Sequence, residues 1–98
     1  MASLWWNSEI RDVSVALSGI GELKSVISNA LSGKGFSDVH VNNLEVAGEK
    51  NGVWISIGHF HIADRQFWEI VMGSGDTVEQ TKGIVAEVVT LLKGLRFL

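Results

Sequence analysis

The chain has 98 residues, of which 46% are hydrophobic and 19% charged, and its formal net charge is −3. These values fit one small globular domain over residues 1–98 and argue against intrinsic disorder. The eight basic residues are scattered rather than clustered. The chain therefore lacks the basic cluster that is typical of proteins that bind nucleic acid or an anionic membrane.

The chain contains no cysteine, which excludes disulfides, thiolate metal sites and cysteine nucleophiles. A secreted domain of this size would usually carry disulfides. Residues 1–6 lack the basic start and long apolar middle of a signal sequence. We therefore expect a soluble, cytoplasmic protein without membrane insertion, in which residues 1–7 could form an N-terminal arm.

A stripe of apolar residues predicts a long first helix over about residues 4–31. Its members are spaced alternately four and three residues apart, as on one helix face; they are Trp6, Ile10, Val13, Leu17, Ile20, Ile27 and Leu31, with Lys24 in the missing place. Gly19 and Gly21 weaken such a helix by roughly 1 kcal/mol each, so a bend at these glycines is one alternative. A shorter helix capped at Asn7 or Ser8 is the other alternative.

The middle of the chain predicts three antiparallel strands, over residues 39–47, 53–62 and 67–72. The first contains a phase slip at Asn42 and Asn43. Asn51 and Gly52 form the strongest short signal for a two-residue hairpin. A second turn over residues 63–66 pairs Ala63 with Gln66.

A last helix is predicted from Asp76 to about Leu95. Asp76 and Glu79 have the spacing of a capping box, and apolar residues cover much of the helix, with Ile84 and Val89 outside its main stripe. The expected fold class is α+β in the order α-β-β-β-α, with both helices mainly on one face of the sheet.

The two turns set the register of the strands and therefore assign residues to faces. One face holds the core residues of the sheet, Trp68, Ile70 and Met72 among them, together with His59 and His61. The other face carries Glu69 and an apolar group formed by Trp54, Phe60, Ile62, Phe67 and Val71.

That second face is the basis of the leading functional hypothesis. A solvated sheet face should carry mainly polar residues, and monomers rarely expose large apolar patches. An arm containing Trp5 and Trp6, or one of the helices, could cover it; so could another chain. The hypothesis is a non-enzymatic interaction domain that forms a homodimer or docks a partner protein. Its contacts would be apolar residues of the helices and the group Trp5, Trp6, Trp54, Phe60 and Phe67.

The alternative is a domain for a metal or small molecule, with catalysis left open. His59 and His61 stand two apart on a strand and share a face, which suits two imidazole ligands of Zn²⁺. His40 and Asp64 could complete such a site, or the two histidines could simply line the rim of the core. No pattern of catalytic residues supports an enzyme, and no other cofactor is expected.

Overall fold

The computed structural model describes residues 9–14, 20–43, 45–63 and 66–95, with side chains described over 21–43, 45–58 and 69–95. The elements in chain order are β1 Glu9–Ser14, α1 Ile20–Gly33, β2 Ser37–Val41, β3 Glu45–Lys50, β4 Val53–Ala63, β5 Gln66–Ser74 and α2 Val78–Gly94.

The described strands form one antiparallel sheet in the order β1-β5-β4-β3-β2. Strands β2 to β5 follow one another as a meander, and β1 is added to the far edge of β5. Helix α1 packs on β2 and β3, while α2 packs on β5 and β4. Both helices lie on the same face, where their apolar residues share one core with Val46, Ile55 and Val71. The α+β class with two helices and an antiparallel sheet is therefore confirmed.

The predicted first helix is wrong over its N-terminal part, because Glu9–Ser14 is the strand β1 and the helix begins at Ile20. Ile10 and Val13 fit a helical stripe, but β-branched residues fit a strand as well. Pairing with β5, which lies far along the chain, supplies the strand's hydrogen bonds. Tertiary context has overridden the local pattern.

The predicted strand over residues 39–47 is two strands, so the expected three-stranded sheet is wrong in number. The phase slip at Asn42 and Asn43 is the connection between β2 and β3, which pair with each other. The buried ammonium of Lys24 donates from its Nζ to the carbonyl oxygens of Asn42, at 3.1 Å, and Asn43, at 2.6 Å. Lys24, the one polar residue of the helical stripe, therefore stabilises the connection between β2 and β3.

The Asn51-Gly52 hairpin is confirmed, with Lys50 opposite Val53. Asn51 has φ of 53° and Gly52 has φ of 79°, the positive values that a two-residue turn of type I′ requires. The same turn fixes Val46 opposite Ile57, as predicted.

The second hairpin differs by one residue. Ala63 does pair with Gln66, but the register shifts between His61 and Ala63. A bulge adds one residue to one strand only, so Val71 rather than Met72 stands opposite Ile57. Every side chain of β5 beyond the bulge therefore changes face relative to the prediction.

The N-cap of α2 is Thr77, one residue later than the predicted cap Asp76, and the helix begins at Val78. The Thr77 hydroxyl accepts from the backbone N–H of Gln80, so the predicted capping box at Asp76 is wrong. Ile84 and Val89, which lay outside the expected stripe, are each only 8% exposed. Most of the apolar surface of α2 is therefore buried in the chain's own core.

Small residues let α2 approach the sheet closely. A Cβ added to Gly73 would lie 2.5 Å from Cγ2 of Val85 and 3.2 Å from Cδ1 of Ile55. Further along α2, Glu87 pairs with Lys50 at 2.5 Å, and the same Nζ donates to the carbonyl of Lys34. Close packing and one ion pair therefore fix the helix layer over the hairpin end of the sheet.

Candidate functional site on the outer sheet face

The face of the sheet opposite α1 and α2 is called the outer face. Cross-strand partners share a face and residues along a strand alternate, so the register defines its members. Its described side chains are Ser37 and His40 on β2, Glu45, Ala47 and Glu49 on β3, Trp54 and Ser56 on β4, and Ile70, Met72 and Ser74 on β5.

Trp54 is the main apolar feature of the outer face. It is 38% exposed, and it is one of three large apolar residues that reach solvent in the described part of the chain. Its ring lies 5.8 Å from that of His40, centroid to centroid, with the planes tilted by 35°. The geometry is that of two flat rings in contact, leaving much of the indole open to a partner.

A backbone irregularity in β2 accompanies the position of His40. Asp38 has φ of 53°, and the register of β2 shifts between Ser37 and His40, as at a β-bulge. The imidazole Nδ1 lies 3.0 Å from the carbonyl oxygen of Asp38. The irregular edge strand thus holds the imidazole beside Trp54.

The apolar surface continues from Trp54 onto β5. Met72 stands opposite Ser56, and Ile70 stands opposite the buried Gly58; both side chains are half-buried. Beyond them, Phe60 and Trp68 occupy facing register positions on the same face. The outer face therefore has an apolar strip along the β4–β5 ladder, defined by Trp54, Met72, Ile70 and the register positions of Phe60 and Trp68.

One side of this strip is acidic. Glu49 stands opposite Trp54, and Glu45 stands opposite Gly58. The Ser56 hydroxyl donates to Glu45, and Asn42 donates to its other carboxylate oxygen at 3.3 Å. Among the described side chains of the outer face, Glu45 and Glu49 carry negative charge and no lysine or arginine is present.

Several of the predicted interface residues have different places in the fold. Trp54 lies on the outer face, and Phe60 holds a register position there. Phe67 holds a register position opposite His61 on the helix-facing side, so its predicted assignment to the same face as Trp54 is wrong because of the bulge. Trp5 and Trp6 lie outside the described residues.

The predicted metal ligands His59 and His61 stay on one face, but His40 is separated from them. His59 and His61 hold register positions on the helix-facing side of β4, and their side chains lie outside the described part. His40 lies on the outer face, so the sheet stands between it and that pair, and its predicted role in completing their site is wrong. Asp64 lies outside the described residues.

Glu69 is a further correction. Predicted on the same face as Trp54 and Phe60, it stands opposite His59 on the helix-facing side and is 2% exposed. The shift of β5 also brings Ile70 and Met72 to the outer face, where they were not expected. Nothing in the turn sequence signals the bulge that causes both changes.

Other features of the described residues are less suited to a site. No group of three or more metal-ligating side chains occurs within the described part. An open depression of about 610 Å³ lies beside α2, lined by Lys34, Gly83, Glu87, Leu91 and neighbouring residues. None of the described helices is long and apolar enough to cross a membrane.

The chain is a two-layer α+β domain. Both described helices pack on one face of the sheet, and neither covers the outer face. Comparisons of the chain with protein-family models, with curated proteins and with solved structures gave no match. What the outer face does is therefore inferred from its residues alone.

Proposed function

We propose that the chain is a non-enzymatic interaction domain whose outer sheet face docks a partner protein. The observation that carries this proposal is the exposure of Trp54 at the end of the apolar strip. Tryptophan is among the residues that most often dominate binding energy at interfaces, where it fills a pocket of the partner. Apolar residues of the helices are left out of this proposal, because both helices lie on the opposite face of the sheet and Ile84 and Val89 are buried in the core.

The charge of the face favours one kind of partner. Glu45 and Glu49 border the strip on the β3 side, and the whole chain carries a formal charge of −3. Two copies meeting through this face would bring surfaces of the same sign together, which disfavours association. A partner with apolar side chains flanked by lysine or arginine complements both the strip and its acidic border.

Selection from a random-peptide library on the immobilised wild-type chain tests the proposal. The selected peptides should combine apolar and basic residues, and their affinity should fall as salt is raised. Titration calorimetry should show that Trp54→Ala loses about 2 kcal/mol of binding free energy, as for a hot-spot residue. Val78→Ala removes an apolar side chain of similar fractional exposure at the start of α2 and should leave the affinity unchanged.

Two results would count against the proposal. If the selected peptides bound Trp54→Ala as tightly as wild type, the binding surface would not include Trp54. Self-association of the wild-type chain that Trp54→Ala abolishes, measured by sedimentation, would identify a second copy as the occupant and overturn the basic partner.

A further inference from the structure

The register brings three residues with metal-ligating side chains together on the helix-facing side of the sheet. His59 on β4 stands directly opposite Glu69 on β5. His61, two residues further along β4, occupies the same face as His59 and is diagonal to Glu69. This grouping depends on the bulge between His61 and Ala63; in the register predicted from the sequence, Glu69 belonged to the other face.

We propose that His59, His61 and Glu69 form a site for a divalent transition metal, of which Zn²⁺ is the best fit. Two imidazoles and one carboxylate are a ligand set of zinc sites that keep a fourth position for water or a further ligand. This site uses the opposite face from the partner-binding strip, so either proposal can fail without the other.

The spacing of the three positions suits convergence on one ion. Facing residues on antiparallel strands have Cβ atoms about 4.5–5.5 Å apart, and diagonal neighbours are separated by about 7–8 Å. Alternate residues on one strand are about 6.6 Å apart. Side chains as long as histidine and glutamate can bridge these separations to a common centre with bonds of about 2.0–2.2 Å.

The burial of Glu69 is the second observation. It is 2% exposed, beside the core row in which Ile57 and Val71 are fully buried. An ionised carboxylate in such a place is costly unless it is paired or binds a metal. Glu69 does have an interaction in this structure, but a carboxylate has two oxygens and can serve a second partner as well as a metal.

The rival explanation for the burial of Glu69 is an ion pair alone. Arg11 on β1 stands opposite Glu69, on the side away from His59. If an ion pair with Arg11 alone accounted for the buried carboxylate of Glu69, the two histidines would not act as ligands and the chain would bind no metal. The two accounts therefore predict different effects for the histidine variants.

Zinc binding by the purified full chain, measured by titration calorimetry after chelator treatment, distinguishes them. Wild type should bind one Zn²⁺ per chain and unfold at higher temperature with zinc present. His59→Gln and His61→Gln should each weaken binding by about a hundredfold or more, since even outer-shell partners are worth roughly 10–100-fold. His40→Gln, on the outer face, should bind as wild type does.

Glu69→Gln should also lose zinc, but it alters a buried charge, so circular dichroism must first show that it folds. The histidine variants decide the matter if it does not. Wild type that binds no zinc, or binding that survives both His59→Gln and His61→Gln, overturns the site. Destabilisation by Arg11→Gln with no response to zinc in any variant would leave the ion pair as the explanation.

Discussion

The rings of His40 and Trp54 meet across strand β3, with their centroids 5.8 Å apart. Ala47 stands opposite His40 and one step diagonally from Trp54, and it is 0% exposed although it lies on the outer face. The two rings thus lie over a small residue, and the size of that residue sets how closely they approach the sheet.

The first prediction follows from this arrangement. Ala47→Leu should lower the free energy of unfolding by about 1–3 kcal/mol, because added methylenes at a packed position force neighbouring side chains apart. Urea denaturation followed by circular dichroism measures the change. Ala86→Leu, at an exposed position of α2, is the matched control and should stay within about 0.5 kcal/mol of wild type. Equal stability of the two variants would mean that the rings do not pack on Ala47.

The second prediction concerns Lys24, which is 7% exposed and donates to the carbonyls of Asn42 and Asn43. Lys24→Met keeps most of the side-chain volume but leaves two carbonyl oxygens without this donor. The free energy of unfolding should fall by about 1.5–3 kcal/mol, the net contribution of hydrogen bonds made by a charged group.

Lys82→Met is the control for Lys24→Met, since Lys82 is exposed on α2. It should change stability by less than about 0.5 kcal/mol. Guanidinium denaturation of both variants measures the difference. If Lys24→Met were as stable as wild type, the ammonium would be replaceable by apolar packing, and its role in holding the β2–β3 connection would be wrong.

The third prediction compares two glycines. Gly73→Ala should destabilise the fold by about 1–3 kcal/mol, because the new methyl would clash with Val85. Gly83→Ala has open space at its Cβ and lies in the interior of α2, so it should stabilise by about 0.5–1 kcal/mol.

Thermal unfolding of both variants checks the two signs together. Val85→Ala in the Gly73→Ala background should recover part of the loss, because it removes the Cγ2 atom nearest the new methyl. A double variant whose losses simply add would contradict the close approach of α2 to β5.

Much of the sheet was predictable because local chemistry determines it. Asn51 and Gly52 adopt the positive φ values that asparagine and glycine tolerate better than other residues, so one turn fixed the register of β3 and β4. The second turn offers no such signal, and the bulge beside His61 could not be read from the residues around it. That single insertion moved Glu69 to the core and Met72 to the outer face.

The first strand was missed for a different reason. Ile10 and Val13 satisfy the helical period, so the pattern continued without a break into the true helix α1. What makes Glu9–Ser14 a strand is the free edge of β5, which is formed by residues more than 50 positions away. Long-range pairing of this kind is beyond the reach of a local pattern.

The central claim is that the outer sheet face binds a partner, and mapping amide chemical shifts by NMR tests it most directly. On addition of a selected peptide to the labelled chain, the largest changes should fall on Trp54, Ser56 and Met72, with the Trp54 indole N–H among them. Changes confined to the exposed side of α2, around Gly83 and Leu91, with an unperturbed outer face would contradict the claim.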